Sequence, residues 1–328
     1  MCTAITYQTK DTYFGRNLDY EMTFGEQVVL TPRKFPLAHK SDVHYAMLGM
    51  AVVADDYPLY FDAINEKGLG MAGLHFVGNA YYEKPDNLSC LRAVRNRASE
   101  GEKTDVAPYD LIPRVLSRCK NLEEARELLH RTRVVAIPFN DEFPLSPLHF
   151  MIADKSGCIV AEPMKEGLKI YDNPIGVLTN NPPFPFHVAN LNNYINLTAQ
   201  PPVNRFSPKV SLAPFSRGMG AMGLPGDSSS VSRFVRAAFV RANSVSAPEE
   251  MESVSQFFHI LGSVEQVRGC VCLEKDMYEI TTYSCCCNLE KSIYYYRTYE
   301  DMNLRKVDLR QLDIDGEALI IPDLHGNV

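Results

Sequence analysis

A cysteine stands directly behind the initiator methionine in "MCTAITYQTKDTYFGRNLDYE". Removing Met1 would place a thiol and a free α-amine on one residue, Cys2. A free thiol titrates at about 8.5 and an α-amine at about 7.7–8.0. The amine can therefore take a proton near neutrality while the thiol is already partly ionised. One residue then supplies both nucleophile and base, the logic of an N-terminal nucleophile. The competing reading is a chance Met-Cys start on a surface hairpin arm.

The residues that follow bear on this choice. "CTAITYQT" and "TYFGRNLDYE" read as the two strands of a hairpin around polar Lys10-Asp11. A two-residue turn there sets Asp19 opposite Cys2, where a carboxylate can hold the amine. Arg16 lies three residues before Asp19, so a regular strand points it to the other face. Bringing both to Cys2 calls for a twist or bulge, which Gly15 permits.

The remaining elements must build a frame around this start. "YAMLGMAVVA" reads as a strand and "FDAINEKGLGMAGLHFV" as a hairpin turning at Glu66-Lys67-Gly68. "PYDLIPRVLSRC" and "NLEEARELLHRT" have helical spacing, with Asn121 as N-cap and Glu124 completing a capping box. A meander of "LHFMIAD", "CIVAEPM", "LKIYD" and "IGVLT" follows, running into "NNPPFPF". Helices return at "SVSRFVRAAFVRANS" and at "PEEMESVSQFFHILGSV", with Pro248 near the first turn of the second. Strands close the pattern at "VRGCVCLE", "MYEITTYSCCC" and "SIYYYRTY", before a mixed polar tail. Hairpin-linked strands alternating with helical pairs argue for an α+β fold, antiparallel sheets with helices packed on them. A single domain spanning 1–328 is expected. No GxGxxG follows a strand and no Walker A sequence occurs, which disfavours a Rossmann or P-loop enzyme.

The chain has 328 residues, 45% hydrophobic and 22% charged, an ordinary globular balance. Net charge is −7 and no basic stripe occurs, so no nucleic-acid partner is expected. No apolar run is long enough to span a bilayer and no signal peptide opens the chain. A cytoplasmic location without membrane insertion is expected. Nine cysteines include "GCVCLEK" and "YSCCCNLEK". The odd count and three adjacent cysteines do not read as a disulfide framework, and reduced thiols fit better. Strand periodicity would split Cys285 to Cys287 between faces, unlike the ligand spacing of zinc sites. Small buried hydrophobes are the better reading of both stretches, and no metal site is expected.

"MCT", "FGRNLDYE", "NEKGLGMAGL", "GVLTNNPPFPFH", "GLPGDSSSVSRF" and "YYYRTYE" together resemble the choloylglycine hydrolase family, in the same order from residue 1 to about residue 300. That family contains bile salt hydrolases and penicillin V acylases. The resemblance implies an N-terminal-nucleophile amidase in an αββα sandwich. Carried over by motif, Cys2 is the nucleophile and its freed amine the base. Arg16 would stabilise the thiolate and Asp19 hold the amine. Asn180 in "LTNNP" would donate to the oxyanion, and Arg233 in "SSSVSRF" would be a further polar residue near the nucleophile. A fixed amide and a backbone N–H suit an oxyanion; losing one such donor can cost about 2.7–4 kcal/mol.

His75 in "AGLHF" departs from the Asn of bile salt hydrolases and the Tyr of penicillin acylases. Its backbone N–H keeps the implied oxyanion role; its side chain is substrate-facing, a second base, or structural. The substrate walls implied by the family fall on Leu18, Phe24, Phe61, Phe139 and Phe143, which suit a steroid or could be core. Arg217, in the Gly-rich "PFSRGMGAMGLPGD" loop, is expected to pair with a taurine sulfonate or glycine carboxylate, or else to be a solvated loop residue. The expected reaction is hydrolysis of conjugated bile acids through a thioester, without cofactor. The alternatives are penicillin V or acyl-homoserine-lactone acylase activity and, in a different class, a non-catalytic thiol- or metal-binding protein. The family also suggests a homotetramer.

Overall fold

The computed structural model describes residues 1–38, 44–85 and 103–322. Its first part runs β1 (Cys2–Gln8), β2 (Thr12–Tyr20), β3 (Gln27–Thr31), β4 (Met47–Ala54), β5 (Tyr57–Asn65), β6 (Gly70–His75), β7 (Thr104–Val106), α1 (Leu111–Arg118) and α2 (Leu122–His130). The meander follows as β8 (Thr132–Val134), β9 (Leu148–Asp154), β10 (Gly157–Met164), β11 (Gly167–Asp172) and β12 (Val177–Leu178). Helices α3 (Phe184–Asn190), α4 (Ser230–Asn243) and α5 (Glu250–Gly262) come next. The last strands are β13 (Cys272–Glu274), β14 (Met277–Tyr278), β15 (Ile280–Asn288), β16 (Ile293–Thr298) and β17 (Arg305–Asp308).

Two large antiparallel sheets carry the architecture. One has the order β12-β1-β2-β15-β16-β17, the other β11-β10-β9-β6-β5-β4-β3. Helices α1 and α2 bury Leu111, Ile112, Val115, Leu116 and Leu129 against Met71, Phe150 and Ile152 of the second sheet. Helices α4 and α5 cover the outer face of the first sheet, touching β1, β2 and β15. The inner faces meet directly, Phe14 of β2 packing where a Cβ on Gly70 of β6 would sit. This is the αββα layering of an α+β fold. The sheets are also clasped by a polar contact: Asp62 of β5 accepts from Tyr283 Oη (2.5 Å) and Tyr294 Oη (2.6 Å) of the first sheet. Burial pushes the Asp62 carboxyl upward, with Arg16 and the two phenols pulling against it.

Local signals explain most boundaries. Asn121 caps α2, accepting from Glu124 N at 2.9 Å. The capping box is only half formed, because the Glu124 carboxylate turns to Lys120 N instead. The hairpin at Glu66-Lys67-Gly68 forms, with Gly68 at φ +87°. Pro248 lies before the N-cap Glu249 of α5, one position outside the expected first turn.

Five readings are corrected. The β1–β2 turn holds three residues, with Thr9 N donating to Asp11 O at 3.0 Å. That extra residue slides the register by one, so Cys2 pairs with Leu18 and not Asp19. No bulge forms at Gly15; a Cβ there would lie 2.1 Å from Cys285 O of β15, so the glycine serves close strand approach. The "IGVLT" segment leaves the meander and crosses to the first sheet, where β12 pairs with β1. Cys270 and Cys272 are exposed, Cys270 in the turn before a short outlying hairpin and Cys272 on its first strand, whereas Cys285, Cys286 and Cys287 are buried as expected. Cys90 lies outside the described residues. β17 emerges from the tail read as mixed.

Gly15→Ala forces β2 away from β15 and is expected to destabilise the protein by about 3 kcal/mol. Urea unfolding checks this: the midpoint should fall at constant slope. An unshifted midpoint would show that the strands have room to yield.

Candidate active site

Alternation along β1 and β2 divides the groups that the sequence singles out. Cys2 pairs with Leu18 and Ala4 with Arg16, so these four side chains share the face turned toward the second sheet. Asp19 and Thr3 occupy the opposite face, under α4. The thiol of Cys2 thus faces the second sheet, while its backbone nitrogen points within its own sheet toward Asn180, in the segment after β12. Arg16 and Asp19 both approach Cys2 without any distortion of the strand.

On the thiol side, Arg16 is fully buried. Its Nη1 donates to Gly73 O and to Phe61 O (3.2 Å), and its Nε to Asn17 O (3.3 Å). Nη2 has no partner among the described residues, which leaves one donor edge for an anion. Burial works against the guanidinium's charge, but the Cys2 thiol, Tyr283 and Asp62 outweigh it and hold the proton more tightly than usual. The thiol opens onto a cavity of about 550 Å³ lined by Cys2, Arg16, Leu18, Phe24, Phe61, His75, Phe139 and Phe143. Such a volume suits a drug-sized apolar ligand. The sequence reading missed Tyr20, Met22, Tyr109 and Leu145, which also line it. The rings form a continuous wall: Tyr20 packs on Phe24 at 4.6 Å and on His75 at 5.6 Å, and Tyr109 meets Phe139 at 5.2 Å. Burial, with the chain-terminal amine and Arg16 adding to it, pushes His75 down to about 4. Its imidazole is therefore neutral at physiological pH and a weak base.

On the amine side, Cys2 N donates to Asn180 Oδ1 at 2.8 Å. Arg233, in the first turn of α4, is completely buried and donates to Cys2 O (2.6 Å), Thr3 Oγ1 (2.6 Å), Asn180 Oδ1 (2.7 Å) and Ser228 O (3.0 Å). Burial lowers its proton affinity, and Asp19 opposes that. Asp19 Oδ2 lies 3.8 Å from Arg233, and Oδ1 accepts from Thr281 at 2.6 Å. Desolvation pushes the Asp19 carboxyl up despite Arg233. The Met1 ammonium donates to Asp19 O (2.6 Å) and to the Glu279 carboxylate.

Asn180 joins the two sides. Its Nδ2 donates one hydrogen to His75 O at 2.8 Å and keeps a second hydrogen for another acceptor. Its own backbone is pinned by Ser230 Oγ on N (2.9 Å) and His187 Nε2 on O (3.0 Å). Ser230 and His187 were not legible as site residues, since neither sits in a spacing that points to Asn180. Arg217 is not brought to the site: it is exposed on the loop before the Met219–Ala221 turn and does not line the cavity. Among the described residues no three His, Cys, Asp or Glu side chains converge in a metal-holding group.

A buried thiol beside an open guanidinium edge, at the floor of an apolar cavity, can attack an electrophilic carbon. A family model of linear amide C–N hydrolases, the choloylglycine hydrolase family, matches residues 2–322. The chain belongs to this family. It is 49% identical to a bile salt hydrolase/transferase of Lactiplantibacillus plantarum, over 98% of this chain and 96% of that one. A solved conjugated bile acid hydrolase of Clostridium perfringens superposes with a TM-score of 0.86 at 36% identity, covering 99% and 97% of the two chains. The penicillin V acylase of Agrobacterium tumefaciens, at 19% identity, a TM-score of 0.70 and coverage of 97% and 90%, shares the fold. For a choloylglycine hydrolase family member, the bond at stake is an amide C–N bond.

His187 beneath Asn180 yields a pH prediction. Burial pushes it down to about 4, against about 6.5 in the unfolded chain. Between these values the unfolded state binds the extra proton, so this contribution to stability is lost as pH falls through the window. In urea unfolding at pH 7 and pH 4, the parent should lose up to about 3 kcal/mol more than His187→Gln. A parent-to-variant difference that does not change with pH would contradict the assignment.

Proposed function

We propose that this protein is a bile salt hydrolase that cleaves glycine- or taurine-conjugated bile acids with Cys2 as N-terminal nucleophile. The observation that carries the reading is the division at Cys2, with the thiol beside Arg16 in an apolar cavity and the nitrogen against Asn180, near Asp19. After removal of Met1, the amine takes the thiol proton and the sulfur attacks the amide carbonyl carbon. The second Nδ2 hydrogen of Asn180 and the backbone N–H of His75 receive the oxyanion. The Cys2 ammonium returns its proton to the departing nitrogen, the C–N bond breaks, and the taurine or glycine amine leaves. Water then attacks the thioester, giving one proton to the amine, and the bile acid departs as the C–S bond breaks. The aromatic wall from Phe24 to Phe143 accepts the steroid by burying its apolar faces. No cofactor takes part.

The L. plantarum relative's name also includes transferase. An amine intercepting the same thioester in place of water would give that outcome here. Eight free cysteines among the described residues fit a reducing cytoplasm. The stretch from Ile195 to Met222 exposes Phe206 (81%) and Phe215 (87%), apolar side chains that fit burial between copies in a homotetramer.

Two measurements test these proposals. With glycocholate, taurocholate and penicillin V as matched substrates, the parent should release glycine and taurine fastest. Cys2→Ser should lose that release, and Asn180→Ala should lower kcat by about 10²–10³-fold. Equal turnover by Cys2→Ser would exclude the thiol mechanism; preferential release of phenoxyacetate would move the assignment to a penicillin V acylase. In sedimentation velocity the parent should run as a tetramer and Phe206→Glu/Phe215→Glu as smaller species. A monomeric parent would exclude the assembly.

A further inference from the structure

Met1 forms one more rung of the β1–β2 ladder. Its ammonium donates to Asp19 O at 2.6 Å, and Asp19 N donates back to Met1 O at 2.9 Å. The same ammonium meets the carboxylate of Glu279. Glu279 lies between β14 and β15 and is only 3% exposed. Its backbone is fixed, the N–H donating to Val271 O at 2.9 Å. Two residues on, Thr281 pairs with Asp19 across the ladder and donates to its carboxylate. Glu279, Thr281 and Asp19 therefore gather on one side, around the nitrogen end of Cys2.

Removing Met1 takes away the cation that Glu279 holds and creates another at Cys2 N, roughly 3.5 Å along the backbone. A buried carboxylate without a partner is costly, and the new ammonium is the cation best placed to replace the lost one. The charge balance points the same way. Asp19 and Arg16 on β2, Arg233 on α4, neutral His75 on β6 and the Cys2 thiol surround the amine. Without Glu279, one carboxylate would face two guanidiniums, and the amine would be a poor proton acceptor. We propose that Glu279 is a positioning residue for the α-amine of processed Cys2, holding it by charge where Met1 had been. This inference rests on the N-terminal-nucleophile reading above.

The test uses full-length protein released from a cleavable fusion so that Cys2 is the first residue in every sample, verified by intact mass. Parent, Glu279→Gln and Glu279→Asp are compared by the pH dependence of kcat/KM for glycocholate. The pH dependence of Cys2 alkylation by iodoacetamide, read by peptide mass, is measured in parallel. Losing a nearby negative charge lowers the amine's proton affinity, so Glu279→Gln should move the acid limb of both profiles down by about one pH unit. Glu279→Asp, with its carboxylate drawn back, should move it the same way by a smaller step. A limb that stays in place, or moves up, in folded Glu279→Gln overturns the proposal, even if activity falls at every pH. If that variant melts below the assay temperature, Glu279→Asp decides by the same criterion. A parent that cleaves no amide defeats the functional reading, while its alkylation profile still reports on Glu279.

Discussion

The arrangement depends on one buried cation. Arg233 has no exposed surface and spends its donors on the carbonyl of Cys2, the hydroxyl of Thr3, the side-chain oxygen of Asn180 and the carbonyl of Ser228. Stripping a guanidinium of water is expensive unless each donor finds an oxygen. Here the acceptors come from β1, from the segment after β12 and from the turn that starts α4. These three pieces are far apart in sequence, and the cation is satisfied only when all are in place. The requirement to solvate Arg233 with protein oxygens therefore doubles as a requirement to assemble the surroundings of Cys2.

Strand alternation along β1 and β2 does most of the rest, helped by one register shift in β15 between Thr281 and Tyr283. Because β1 and β2 run regularly, the sulfur and the nitrogen of Cys2 are delivered to different environments. One is an aromatic cavity with a single guanidinium edge, the other a wholly polar cluster beneath α4. On the proposed reading of Cys2 as nucleophile, its sulfur needs an apolar approach for its substrate, and its amine needs fixed dipoles and charges. One residue meets both needs because a side chain leaves a strand sideways while the backbone continues along it.

Much of this was legible in the residues. The hairpin at the start, the paired helices and the antiparallel plan follow from period-2 and helical spacing. Cys2, Arg16, Asp19, Asn180 and Arg233, which the family resemblance implies as one site, converge in space. What failed were features set by a single residue of turn length or by distant partners. The register of β1 against β2 depends on Thr9 joining the turn, which composition does not reveal. The crossing of β12 to the other sheet leaves no mark in "IGVLT", which alternates like its meander neighbours. Arg233 itself is singled out only by the family resemblance, since an arginine on a helix following a Gly/Pro loop looks the same in sequence whether solvated or buried. Glu279, Ser230 and His187 were invisible for the same reason: their significance lies in contacts made from far along the chain. Arg217 shows the converse, a residue type suited to an anion on a loop that stays away from the cavity.

The position of β1 between β2 and β12 has a temporal side. Its first neighbour is synthesised within the same hairpin, but β12, α4 and β15 emerge from the ribosome much later. Throughout that interval the head of the chain lacks the walls that finally enclose it, and its first residues stand open to solvent. Docking of the later elements then closes that access.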